Sequence, residues 1–147
     1  MLNIPFNVAA PVGQERRYVD EVLSATGDIG SGKYTALCEQ ELEHSLGARR
    51  VLLTPSGTAA LEMTALLLDL QPGDEVIMPS FTFVSTANAY VLRGATPVFV
   101  DIRADTINID EARVAAAITD RTKAIVAVHY AGGACAMAAL RALAERH

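Results

Sequence analysis

The run "RVLLTPSGTAALEMTALLLDLQPGDEVIMP", residues 50–79, decides the fold. "RVLLT" (50–54) has the apolar character of a buried strand, and residues 57–70 that of a helix. "QPGDE" (71–75) is a turn, and "VIMP" (76–79) a second strand. The alternation continues downstream. Residues 84–94 predict a helix, 96–102 a strand, 109–118 a helix, 123–130 a strand and 136–147 a helix. Asn108, with Glu111 three residues on, predicts a capping-box start for the third of these helices. Apolar strands alternating with helices of this length predict an α/β fold, a mostly parallel sheet with helices on both faces.

The first 49 residues form a separate helical segment. Tyr18, Val19, Val22 and Leu23 lie on one side of a helix over 14–26, and Leu42 and Leu46 share a stripe of a second over 34–47. Gly47 is its natural stop. Between these helices "GDIGSGKYT" (27–35) matches the Walker pattern at Gly27, Gly32 and Lys33, but Tyr34 occupies the position of the metal-holding Ser or Thr. A Walker loop also needs a buried strand feeding it, and here a polar helix precedes. The glycines therefore predict a helix-to-helix loop, not a nucleotide-hydrolysing site.

Composition narrows the function classes. With 147 residues, 51% apolar and 20% charged, the chain can bury a core and is not of the disordered class. A net charge of −5, with no basic cluster beyond Arg16-Arg17 and Arg49-Arg50, argues against a nucleic-acid partner. No apolar run approaches a membrane span, and the first ten residues have no basic stretch ahead of an apolar one. Cys38 and Cys135 lie far apart without metal-ligand spacing, and are expected to be reduced, buried thiols of a cytoplasmic protein.

A phosphate fits better at "TPSGTAAL" (54–61), which leaves a strand and opens a helix. Helix-initial amides lack internal partners and sit at the positive end of the dipole. Ser56 and Thr58 add hydroxyls, and Gly57 permits close approach. Taken alone, the same residues also describe a plain N-cap. "PSFTFVSTANA" (79–89) brings Phe81 and Phe83 to the carboxyl edge of the sheet, where ligands of parallel sheets collect. Phe83 could stack on a heteroaromatic ring or pack in the core. His129, in "VHYAGG" (128–133), is expected to be buried and hydrogen-bonded, and Asp101 to bond local amides.

The phrases "TPSGTAALEM", "QPGDEVIMPSFTFVSTANAYVLRGATPVFVDI" and "TKAIVAVHYAGGAC" resemble the pyridoxal-phosphate-dependent sugar aminotransferases of the DegT/DnrJ/EryC/StrS family. The resemblance implies the N-terminal part of a fold-type-I transferase large domain, with residues 1–49 as a helical segment and 50–147 as an incomplete cofactor domain. It implies pyridoxal 5'-phosphate held by Ser56, Gly57, Thr58 and Ala59, with Phe83 against its ring. Gly32, Lys33 and Tyr34 would lie beside the sugar nucleotide, although many relatives have Gly-Pro in place of Gly32-Lys33. Glutamate would be the amino donor, a dTDP-4-keto-6-deoxy sugar the acceptor, and a homodimer the working form.

The chemistry needs a lysine bound covalently to the cofactor and a carboxylate beside the pyridine nitrogen. The family supplies them from a Val-Glu-Asp-Ala strand end and a Ser-x-His-x-x-Lys turn, neither of which is present. The two lysines, Lys33 and Lys123, stand in other settings, and so do Asp101 and Asp110. The Schiff-base lysine is thus expected beyond His147, and this chain by itself is expected to be inactive and marginally stable or associating. A non-catalytic binding or dimerisation piece of the same fold is the alternative. A relative that dehydrates the sugar, with His in place of the lysine, is a third.

Overall fold

The computed structural model describes residue 5, residues 8–25 and residues 32–147. They fall into two compact units, Met1–Leu53 and Thr54–His147. In the first, α1 spans Glu15–Ser24 and α2 spans Lys33–Leu46, and Gly47 ends α2 in the left-handed conformation (φ 62°) expected of it. Residues 27–31 of the glycine loop lie outside the described residues.

Residues 50–54 are not the strand that their apolarity predicts. The N–H groups of Val51 and Leu53 donate to the carboxylates of Glu43 and Glu39 on α2, each at 3.0 Å. Carboxylates thus take the place of a ladder partner, and Leu52 stays 63% exposed. The same bonds tie residues 51 and 53 to α2, within the first unit.

The second unit is α/β. Helix α3 (Gly57–Leu67) is followed by β1 (Glu75–Pro79), α4 (Val84–Val91), β2 (Thr96–Val100), α5 (Glu111–Ala117), β3 (Thr122–Ile125), a 3-10 turn (Tyr130–Gly132) and α6 (Met137–Arg146). The sheet is parallel with order β2-β1-β3, so β1 is central. All five residues of β1 are buried, whereas β2 is half-exposed at an edge. Alternation along β1 divides the core in two, because successive side chains point to opposite faces. Val76 and Met78 pack with Leu61 and Ala65 of α3 and Ala89 and Tyr90 of α4. Ile77 faces the other way, onto Val114 of α5 and Leu140 and Leu143 of α6. Helices therefore cover both faces, as the alternation predicts.

Two elements differ from their sequence patterns. The last strand is paired only over Thr122–Ile125, extended by the Val126 N–H donating to the Ile77 carbonyl (2.8 Å), and the chain then turns toward His129. Helix α5 is capped by Asp110, whose carboxylate accepts from the N–H groups of Ala112 and Arg113. Asn108 cannot serve as the cap, because its buried side chain is bonded to Tyr130 and Gly133.

Candidate functional site

Ser56 is the N-cap of α3, with extended backbone and its Oγ accepting from the Ala59 N–H at 3.1 Å. Its carbonyl accepts from the Ala60 N–H, also at 3.1 Å, and from the Thr54 hydroxyl at 2.9 Å. Among the described residues, no acceptor takes the N–H groups of Gly57 and Thr58. Both residues are exposed, at the end of α3 where the dipole is positive. A Cβ placed on Gly57 would meet nothing within 4 Å, so the space on that side is open.

The neighbouring helix completes the corner. Thr58 Oγ1 donates to Ser85 Oγ at 3.2 Å, joining the first turns of α3 and α4. The residue preceding α4 is Phe83, 74% exposed and outside both core clusters. Core packing is thus excluded for Phe83 in this chain, and its ring is free to stack. Phe81, two residues earlier, is 46% exposed, and its ring lies 4.6 Å from that of Tyr130, centroid to centroid. Ser56, Gly57, Thr58, Ala59, Phe83 and Ser85 present amides, hydroxyls and one aromatic face without a carboxylate. Such a set fits an anionic oxygen group bearing a flat ring.

Other expected residues are placed differently. His129 is exposed, not buried, and its Nδ1 accepts from the Cys135 N–H at 3.0 Å. Cys135 is buried, its Sγ donates to the Val128 carbonyl at 3.2 Å, and burial pushes its thiol pKa up. Cys38 is exposed on α2, contrary to expectation, since α2 buries none of its residues. Among the described residues, the Asp101 side chain bonds no local amide and instead faces Arg113 at 3.5 Å.

In the first unit, Gly32 caps α2 with extended backbone and the Lys33 ammonium lies 5.2 Å from the Tyr34 ring centroid. The Tyr34 hydroxyl donates to the Glu21 carboxylate, which holds its pKa above the ordinary tyrosine value. Tyr18 packs edge-on against Tyr34 at 5.1 Å. Tyr34 is therefore already partnered within its own unit. The second lysine, Lys123, is the second residue of β3, at the amino end of the sheet and away from residues 80–83. Sequence reasoning missed Ser85, although a serine in the first turn after Phe83 is a usable signal. It also misassigned Asn108, whose partners are more than 20 residues away.

Residues 12–147 match the model of the DegT/DnrJ/EryC1/StrS aminotransferase family. Among solved structures, a Streptococcus pneumoniae protein assigned as a sugar aminotransferase, in its PMP form, is 36% identical with a TM-score of 0.91, covering 99% of this chain and 36% of that one. An aminotransferase from Psychrobacter cryohalolentis is also 36% identical (TM-score 0.89), over 97% of this chain and 37% of that one. The E. coli GDP-4-keto-6-deoxy-D-mannose-3-dehydratase with bound hydrated PLP is 26% identical (TM-score 0.87), over 99% and 39% respectively. The chain thus spans well under half the length of these relatives. On the match across 12–147 and the shared α/β architecture, it belongs to the DegT/DnrJ/EryC1/StrS aminotransferase family.

Proposed function

We propose that this chain provides the phosphate cradle and ring-stacking face for pyridoxal 5'-phosphate in an aminotransferase of nucleotide-linked 4-keto-6-deoxy sugars. Ser56, Gly57, Thr58 and Ala59 receive the phosphate, and Phe83 lies against the pyridine ring. Gly32, Lys33 and Tyr34 lie on the sugar-nucleotide side. Glutamate is the amino donor and dTDP-4-dehydro-6-deoxyglucose the acceptor, in a cytoplasmic homodimer that feeds polysaccharide synthesis of the enterobacterial common antigen type. When bound, the cofactor supplies an electron-withdrawing ring that lets an amino group pass between carbon skeletons. This chain's residues bind and orient it: the α3 amides fix its anionic end, and Phe83 shields one face of the ring from water.

The observation that carries this reading is the pair of N–H groups at Gly57 and Thr58 that take no acceptor among the described residues, beside open space. No internal contact explains a glycine at 57, since its Cβ would touch nothing. An approaching ligand does. Dehydration of the sugar is the second reading, favoured by the likeness to a dehydratase, but identity is higher to the aminotransferases, 36% against 26%. In the test, absorbance titration compares pyridoxal phosphate with pyridoxal on the chain. Binding about tenfold tighter with the phosphate, abolished in Gly57→Asp, is expected. Equal binding of the two would refute the cradle.

A further inference from the structure

We propose that Asn108 is a positioning residue for the candidate site, holding the Tyr130 ring against Phe81 and so fixing the segment that carries Phe83. It rests on the reading of Phe83 given above. Asn108 is 3% exposed, in the connection between β2 and α5. Its Oδ1 accepts from the Tyr130 N–H and its Nδ2 donates to the Gly133 carbonyl, both at 3.0 Å. One side-chain amide thus spans both ends of the 3-10 turn. Because one bond needs an acceptor and the other a donor, Asn is matched here where Asp or Leu is not.

The segments it joins hold strained backbone. Ile107, immediately before it, has φ 60°, and Ala131, inside the turn, has φ 50°. A β-branched residue in that region persists only where surrounding contacts over-determine it. Such outliers concentrate at functional sites. The turn is tied a third time by the Cys135 N–H donating to His129 Nδ1. Its product is the placement of Tyr130, whose ring is tilted 39° against Phe81. Phe81 lies in the short connection from β1 to α4, whose next aromatic is Phe83 and whose first helical turn bears Ser85. A phosphate held by the α3 amides touches this connection only through the Thr58–Ser85 bond, whereas a ring held by Phe83 rests on the connection itself.

That separation gives the test. In Asn108→Ala the Tyr130 amide should lose protection from hydrogen exchange, and the ring-current shifts between Phe81 and Tyr130 should collapse. Pyridoxal phosphate affinity should fall about three- to tenfold, as the correctly placed population falls, while inorganic phosphate affinity stays within about twofold. If Asn108→Ala does not fold, Tyr130→Ala removes the ring contact but keeps both bonds of Asn108, to the residue-130 N–H and the Gly133 carbonyl, and should give the same split. Asn108→Asp, which keeps the Oδ1 acceptor and loses the donor, should fall between. Equal weakening of both ligands, or an unchanged Tyr130 amide in Asn108→Ala, would overturn the positioning role. A wild-type chain that binds neither ligand would sink the cofactor reading and this role with it. A wild-type chain that binds both, with variants unaltered, would sink this role alone.

Discussion

Single residues at the start of α3 separate stability from binding. Ser56→Ala removes the Oγ that accepts from Ala59, and should cost about 1 kcal/mol in urea unfolding. Gly57→Ala should behave oppositely. The added methyl meets no atom and reduces the freedom of the unfolded chain, so stability should hold or rise by up to about 1 kcal/mol. The same methyl occupies the space assigned to the phosphate, so affinity for pyridoxal phosphate should fall. A Gly57→Ala chain that is stabilised and binds normally would show that the glycine serves no ligand. Ser56 and Gly57 were legible as a helix start from the change of pattern at residues 54–57, although the residues before them are not a strand. Phe83 was not decided by sequence, because an aromatic beside a strand is equally at home in a core, and only its 74% exposure separates the two.

Elements gain their stability from the central strand. Ile77 is fully buried between β1 and the α5–α6 face, and Ile77→Ala should cost about 2–5 kcal/mol. At the amino end of β1, Glu75 accepts from the Thr119 hydroxyl at 2.5 Å and pairs with Arg121, whose Nε donates at 3.0 Å. These bonds, that with Thr119 foremost, hold the Glu75 carboxyl below its ordinary pKa. A depressed carboxyl stabilises the fold above the unfolded value, about 4.3, and the contribution disappears as pH falls through the folded value. Glu75→Gln should therefore lower Tm at pH 7, and the two Tm values should begin to converge once pH falls below about 4.3. A constant Tm difference across that range would mean that the charge does not matter. Residues 50–54 show the limit of pattern reading at this scale. An apolar pentapeptide specifies extended backbone, but not whether another strand or a row of carboxylates will receive its N–H groups.

At the scale of the molecule, large apolar side chains remain outside. Leu67 is 78% exposed on α3 and Leu92 71% exposed just after α4. Among the described residues, no further strand pairs with the outer edges of β2 and β3. Unpaired edges and apolar surface favour association. Sedimentation of the purified chain should show species larger than the 15.6 kDa monomer. A clean monomer with a cooperative transition near the top of the ordinary range would contradict this. Lys123 lies at the amino end of β3, not at the carboxyl edge of the sheet, and Lys33 belongs to the other unit, as the first residue of α2. Borohydride reduction with pyridoxal phosphate should accordingly leave no single lysine stoichiometrically labelled. Stoichiometric labelling of Lys33 or Lys123 would show that the chain carries its own covalent anchor.

The sequence by itself determined the order of helices and strands from residue 57 onward, the parallel sheet and the start of α3. These follow from local periodicity and from the few residue types that can begin a helix. Only the tertiary structure decided that Thr58 reaches Ser85, that Phe81 packs on Tyr130 while Phe83 stays free, and that Asn108 clamps a turn instead of capping α5. Each of those depends on residues more than 20 positions apart meeting within a few ångströms. Local pattern cannot carry that information, because it arises only when the strands are set in register.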